Sequence, residues 1–388
     1  MEDLLEEPLT PSGDSSAERR ASNLIAADHV SSQYVGRLAP SPTGALHLGN
    51  VRTFMIAWLR ARSQGGRMLF RMEDLDHPKD KPGAAAQAVE DLRWLGFDWD
   101  AEDVQSRRRE IYRAALASLR AAELVYPCVC SRKDVESAQS APHAGEQLYY
   151  PGTCRGRFAT WRDAVAYRAA RVEQGAVAPL PCWRFRVTGD AHVAFDDVFA
   201  GPFEQDVASV LGDFPLARDA DGAGYTLAAT VDDLLTGVTE VVRGDDLLAA
   251  TPAQILLAHA LLRDFKPLAA RKELPAYCHV PLVVGPDGRR LAKRHGDTRI
   301  ASLRAAGIRP AQIIGRLAAT CGWCEKNEEI SLADLVPRFD LKTIPSEPCT
   351  VGRDFFKHLI VQKGRMDVTR KIAPGGYESS GKYDIIPS

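Results

Sequence analysis

One stretch constrains this chain more than any other. Tyr34-Val35-Gly36-Arg37-Leu38 reads as a short strand and runs straight into Ala39-Pro40-Ser41-Pro42-Thr43-Gly44, where two prolines and a glycine forbid regular structure. An amphipathic helix follows. Val51, Phe54, Met55, Trp58 and Leu59 recur at three- and four-residue spacing on one apolar face, and Gly65-Gly66 stops it. Met68-Leu69-Phe70-Arg71-Met72 reads as the next strand. Strand, helix and strand within about 40 residues predict a right-handed βαβ unit and a parallel sheet. The acidic cluster Glu73-Asp74-Leu75-Asp76 ends the second strand. Ligands of open α/β sheets bind at the carboxyl ends of strands, so the first turn and this cluster are expected to face one crevice.

The 388-residue chain has room for more than one domain. Residues 1–32, rich in Ser, Ala, Glu and Pro, are expected to be a disordered extension. Helices are predicted at Ala84–Leu95 and Arg107–Ala122, completing a first half of the α/β domain over 33–125. From Tyr126 the texture turns to cysteines, tyrosines, prolines and β-like stretches such as Trp183–Val187, and 126–212 is read as an insertion. The α/β texture returns at Tyr225–Val231 and Val238–Gly244, with a helix at Pro252–Leu262 and a last strand at Val280–Val284, giving a second half over 213–300. A helical part is expected over 301–325 and an irregular tail over 326–388. The fold class is therefore a Rossmann-like α/β domain, split by an insertion, with a short helical C-terminal part. No apolar run approaches the roughly 20 residues that cross a bilayer. The acidic start, Met1-Glu2-Asp3-Leu4-Leu5-Glu6-Glu7, differs from a basic leader, so a cytoplasmic protein is expected. A net charge of −2 neither demands nor excludes a nucleic-acid partner.

Two strings carry chemistry. Pro40–Asn50 lies between strand and helix, where a helix N-terminus offers N–H donors and a positive dipole end to phosphate. His47 can donate to a phosphoryl oxygen, and Gly49 lets a flat base pack against backbone. A lone His-x-Gly would be an ordinary capped turn; the whole string in its strand-to-helix setting argues for ATP at His47, Gly49 and Asn50. The second string is Pro286-Asp287-Gly288-Arg289-Arg290-Leu291-Ala292-Lys293-Arg294-His295-Gly296-Asp297, a basic loop that can close over a triphosphate.

As a pair these strings resemble the "HIGH" and "KMSKS" motifs of class I aminoacyl-tRNA synthetases. Arg37–Gly44 and Arg71-Met72-Glu73-Asp74-Leu75-Asp76 are similar to the glutamyl/glutaminyl branch. With no large anticodon-binding region expected after Asp297, the chain resembles the truncated members of that branch, the glutamyl-queuosine tRNA(Asp) synthetases, over about residues 33–325. The resemblance implies a ligase that activates L-glutamate with ATP and Mg2+ and passes it to the queuosine base of tRNA(Asp). It implies a glutamate site of Arg37, Leu38, Ala39, Pro40, Ser41, Glu73, Tyr225 and Arg243, with His47 and Lys293 catalytic. Arg37 and Arg243 suit carboxylates, Glu73 the ligand's ammonium, and Ser41 and Tyr225 neutral hydrogen bonds. Asp232 and Asp233 belong to the same family pattern, with no role chosen between ligand contact and structure. Arg290 stands where the family often has lysine and Ala292 where it often has serine; Lys293 is kept. A glutamyl-tRNA synthetase charging a tRNA 3′ end, another class I-type adenylyl transferase and a non-catalytic tRNA-binding or regulatory paralogue are the alternatives; intact His47, Gly49 and Lys293 argue against the last. No membrane partner and a monomeric state are expected.

Eight cysteines in a chain of this kind are not a disulfide framework. Cys128-Val129-Cys130 with Cys154 offers three thiolates, which zinc or simple burial could explain. The resemblance adds Tyr150, four residues before Cys154, as a fourth ligand, with His143 a chemically reasonable competitor, and implies one structural zinc. Cys321-Gly322-Trp323-Cys324 is a C-x-x-C that could be redox-active, but it lacks the preceding strand of a thioredoxin-like unit and falls in a helical pattern, so its thiols are expected on one helix face.

Overall fold

A computed structural model describes residues 33–75, 81–138, 148–173, 180–218, 222–289, 291, 298–352 and 355. In chain order its main elements are β1 (Val35–Leu38), α1 (Leu48–Ser63), β2 (Arg67–Met72), α2 (Ala84–Trp94), β3 (Ala101–Val104), α3 (Arg109–Ala121), β4 (Val125–Cys128), β5 (Cys182–Phe185), β6 (His192–Asp197), β7 (Gly201–Asp206), β8 (Phe214–Ala217), α4 (Tyr225–Leu235), β9 (Glu240–Gly244), α5 (Thr251–Asp264), β10 (Ala276–Val280), β11 (Val283–Val284), α6 (Pro310–Ala319) and β12 (Cys349–Thr350).

The strands of the nucleotide-binding pattern are parallel. β1 pairs with β2 and β2 with β3, while β9 pairs with β10. β9 lies beside β1, where Thr239 N donates to Val35 O (2.9 Å) and Arg37 Nη1 to Val242 O (2.8 Å). The strands thus run β3-β2-β1 and then β9-β10, and the chain order reverses between β1 and β9. That is the kind of switch point where such sheets leave a crevice.

Both faces of this sheet are covered, as a parallel sheet requires. Successive side chains point to opposite faces. Leu38, Met68, Phe70, Met72, Val242, Cys278 and Val280 face one way and pack with α1, α2 and α6. Val241 and Tyr277 face the other way, into a second core with α3, α4 and α5. Arg37, Arg71, Arg243 and His279 fall in the alternation on this second face, at the carboxyl ends of their strands. The segments between β3 and α4 include an antiparallel sheet β4-β5-β8 and a hairpin β6-β7. A small third core there gathers Tyr126, Cys128, Val129, Val135, Tyr150, Cys154 and Ala164.

Two sequence expectations are corrected. The last strand, placed at Val280–Val284, is two strands: β10 ends at Val280 and β11 pairs with β12. Pro281 has no N–H to give a ladder, so the run cannot stay continuous. The helical part is also shorter than expected. Gly307 (φ +78) separates Ile300–Ala305 from α6, and α6 stops at Ala319 before Gly322 (φ +80). The thiols of Cys321 and Cys324 therefore do not share a helix face; Cys321 is buried, and Cys324 donates to Gly315 O (3.2 Å).

Candidate functional site

The turn after β1 meets the end of β2 as the sequence pattern requires. Glu73 N donates to Pro40 O (2.9 Å), and Lys81 N to Pro42 O (3.1 Å). Leu38 sends its side chain into the core, so only its backbone can face a ligand. Pro40 is buried, Ala39 is half-buried and Ser41 is exposed.

His47 is the N-cap of α1. Its Nδ1 accepts from the backbone N–H of Gly49 (3.1 Å) and Asn50 (3.4 Å), and Asn50 Oδ1 accepts from His47 N (3.1 Å). Leu48 N is taken by Thr298 O (3.1 Å). The amides that the sequence pattern offered to phosphate are thus engaged in a reciprocal cap. Because Nδ1 accepts, the ring proton sits on Nε2, the nitrogen turned away from the helix. Gly49 is needed by this cap: an added Cβ would lie 2.9 Å from His47 Cε1.

The basic loop is anchored beside this turn at both ends. It leaves from β11, where Val283 Cβ is 3.6 Å from the position a Cβ on Gly49 would take. It returns at Thr298–Ile300, where Ile300 N donates to Leu46 O (2.9 Å) and Leu48 N to Thr298 O. Lys293, with Arg290 and Ala292, lies outside the described residues.

Three arginines stand at the crevice. Arg37 is buried, gives Nη1 to Val242 O and keeps Nε 3.5 Å from Asp233 Oδ1; that buried Nε has no hydrogen-bond partner. Arg71 ties the acidic groups together: Nη1 donates to Asp233 Oδ1 (2.6 Å), Nη2 to Glu73 Oε1 (3.0 Å), and Nε lies 3.8 Å from Asp232 Oδ2. Asp232 also accepts from Gln105 (2.9 Å), Arg108 (2.7 Å) and Tyr112 (2.8 Å). This fully enclosed carboxylate is structural, whereas Asp233 reaches the arginines of the crevice. Burial pushes the Glu73 and Asp232 carboxyls up against the pull of nearby arginines. Burial acts likewise on Asp233, but Arg71 and Arg37 outweigh it and hold that carboxyl below its ordinary value.

Arg243 is held from several sides. Its Nε donates to His279 Nε2 (3.0 Å), and its Nη2 to Thr251 Oγ1 (2.8 Å) and Gln254 Oε1 (2.7 Å). Nη1 lies 3.4 Å from the hydroxyl of Tyr225, whose side chain is exposed at the start of α4. His279 Nδ1 is 2.6 Å from Asp197 Oδ2. Sequence reasoning did not single out Asp197, His279, Thr251 or Gln254. The β9–β10 register, which the structure supplies, sets His279 directly opposite Arg243.

A family model described as "tRNA synthetases class I (E and Q), catalytic domain" matches residues 33–349. The chain belongs to that family. A Symbiobacterium thermophilum protein named Glutamyl-Q tRNA(Asp) synthetase is 47% identical over 328 residues, covering 81% of this chain and 95% of the relative. A Rhodopirellula baltica protein of the same name is 43% identical over 350 residues, covering 84% and 98%. The crystal structure of a glutamate tRNA ligase from Elizabethkingia meningosepticum superposes with a TM-score of 0.65 at 23% identity, covering 84% of this chain and 68% of that one. This last likeness concerns the fold, which is that of a class I synthetase catalytic domain of the glutamyl-tRNA ligase kind.

This class I synthetase also carries a thiol cluster apart from the crevice. Cys128, Cys130 and Cys154 bring their sulfurs within 4.8 Å of one another. Cys130 Sγ is 3.5 Å from Cys154 Sγ, and Tyr150 Oη is 3.3 Å from Cys128 Sγ and 3.7 Å from Cys130 Sγ. A tetrahedral metal with bonds of about 2.3 Å separates its ligands by roughly 3.8 Å, so these donors fit one. Hydrogen bonds from Cys130, Cys154 and Cys182 pull the Cys128 thiol toward thiolate, and Arg184 Nε donates to it at 3.2 Å. Cys182 stands opposite Cys128 in the β4–β5 ladder. His143 lies outside the described residues. Among the described residues, no helix is long and apolar enough to cross a membrane.

Proposed function

We propose that this protein activates L-glutamate with ATP and transfers it to the queuosine base of tRNA(Asp). The observation that carries this reading is the pair Arg37 and Arg243 at the β1–β9 switch, in a chain 47% identical to a protein named Glutamyl-Q tRNA(Asp) synthetase. Two guanidiniums suit the two carboxylates of glutamate, and Arg37 Nε, 3.5 Å from Asp233 Oδ1, makes no hydrogen bond of its own. Glu73 answers the ligand's ammonium, and Tyr225 closes the pocket beside Arg243.

The α-carboxylate attacks the α-phosphate of ATP, which enters with Mg2+; glutamyl-adenylate and pyrophosphate form. No covalent link to the enzyme is required, so the residues act by positioning and charge. His47 presents Nε2–H to the phosphates, while its Nδ1 holds the helix cap and so fixes the ring. Lys293 neutralises charge on the departing pyrophosphate. We read 33–125 and 213–300 as the catalytic halves and 126–212 as an insertion folded around one structural zinc, held by Cys128, Cys130, Cys154 and Tyr150. Four protein ligands leave zinc no open position for catalysis.

Two assays test this function. Glutamate-dependent ATP–pyrophosphate exchange is measured without tRNA, then labelled glutamate transfer to tRNA(Asp) with and without queuosine. Exchange without tRNA and transfer only to the modified tRNA are expected. Charging of tRNA(Glu) would overturn the proposal in favour of a glutamyl-tRNA synthetase.

A further inference from the structure

We infer that Asp197 and His279 are positioning residues for Arg243: the carboxylate fixes the imidazole, and the imidazole fixes the guanidinium that binds glutamate. The inference rests on the reading of Arg243 as a glutamate-carboxylate partner. Asp197 ends β6, an element of the β6–β7 hairpin, and meets β10 from outside the nucleotide-binding sheet. Val198 N donates to Tyr277 O (2.8 Å) and seats the hairpin there.

The donors and acceptors of this chain of contacts follow from their partners; the Thr251 hydroxyl also lies 3.1 Å from His279 Nε2 and has Leu247 O (3.0 Å) to donate to. Asp197 Oδ1 accepts from the backbone N–H of Phe199 (3.0 Å), Ala200 (2.8 Å) and His279 (3.0 Å). Its Oδ2 takes His279 Nδ1 at 2.6 Å. Every group facing the carboxylate is a donor, so Nδ1 carries the imidazole proton. His279 Nε2 is then left as an acceptor, and Arg243 Nε donates to it at 3.0 Å. Burial and the Arg243 charge hold the imidazole in its neutral form, against the pull of Asp197. Protonation at Nε2 would set a donor and a positive charge against Arg243. With Nε fixed by His279 and Nη2 by Thr251 and Gln254, Nη1 is the edge aimed past Tyr225 toward the crevice.

An amide cannot replace this carboxylate. In Asp197→Asn, whichever way the side chain turns, its NH2 faces either the three backbone N–H groups or His279 Nδ1. The second orientation reverses the tautomer and points Nε2–H at Arg243. In His279→Gln, by contrast, one amide can donate to Asp197 and accept from Arg243. His279→Leu can do neither.

The test is glutamate-dependent ATP–pyrophosphate exchange in the full chain, with each substrate varied at saturating levels of the other and melting temperatures in parallel. Asp197→Asn and His279→Leu are expected to raise the KM for glutamate by about 10- to 100-fold, as misplacement of a substrate clamp does. The KM for ATP is expected to stay within about twofold, and His279→Gln to remain within about threefold of the parent for glutamate. If glutamate KM is unchanged in both disruptive variants, if both KM values rise together, or if His279→Gln fails as badly as His279→Leu, the relay is wrong. The two histidine variants decide the matter should Asp197→Asn not fold. Arg243→Lys separates the underlying reading: an unchanged glutamate KM there removes Arg243 from the substrate site, whereas a raised one beside silent relay variants overturns the relay alone.

Discussion

At Gly49 a single added carbon would meet the His47 ring at 2.9 Å, which makes the spacing of these two residues a packing condition as well as a chemical one. Gly49→Ala is expected to push the imidazole off the α1 cap. Loss of such a cap costs about 0.5–2 kcal/mol, readable as a lower melting temperature together with reduced ATP–pyrophosphate exchange. An alanine variant with normal melting and normal exchange would refute the coupling. Lys293→Ala is expected to abolish exchange without changing the melting temperature; persistent exchange would remove it from catalysis. The buried carboxylates give a pH prediction. Asp197 and Asp233 are both held below the ordinary value of 3.8, so their contribution to stability is complete above that value and is lost as pH falls through their lower folded values. Glu73 and Asp232, pushed up by burial, bind protons more readily when folded and oppose this loss. Asp197→Asn is therefore expected to lower stability near about pH 7 and to flatten the fall in melting temperature below about pH 4. Calorimetry across that range checks it, and an acid limb as steep as the parent's would sink it.

Among the elements, β1, β2, β9 and β10 show how much a period of two can convey. Once Leu38, Met68, Phe70 and Val242 are assigned to one core, Arg37, Arg71, Arg243 and His279 must emerge on the opposite face. The strand-to-helix string was legible because prolines, glycine and apolar spacing act locally. The course past Val280 was less so, since Pro281 divides an apolar run that periodicity alone joins. The thiol cluster is assembled from β4, the segment at Tyr150 and the turn at Cys154, so it depends on tertiary closure for its geometry. Cys130→Ser is expected to lower bound zinc and melting temperature together, since metal binding in such a site is coupled to folding. Metal analysis beside calorimetry tests this; full zinc content in the variant would exclude Cys130 as a ligand.

For the whole molecule, buried arginines join parts distant in sequence. Arg52 of α1 donates from Nη1 to Pro281 O (2.8 Å) and from Nε to Thr320 Oγ1 (3.0 Å), linking the first turn's helix to the β10–β11 connection and the end of α6. Arg52→Met removes those donors and leaves buried acceptors unsatisfied, an expected loss of about 1–3 kcal/mol in denaturant unfolding. No change in the unfolding midpoint would refute that role. The sequence by itself determined the βαβ start, the two chemical strings and the three-cysteine pattern, because each depends on residue type and short spacing; Arg37, Glu73 and Arg243 came forward as site candidates only through the family resemblance. Only the tertiary structure decided that the Gly49 and Asn50 amides serve His47, that Arg71 gathers Glu73 and Asp233, and that Asp197 reaches Arg243 through His279. Those contacts join residues tens to hundreds of positions apart or turn on which acceptor wins a given donor. Hydrogen-bond partners of that kind are set by where strands and helices stop, and no local pattern encodes them.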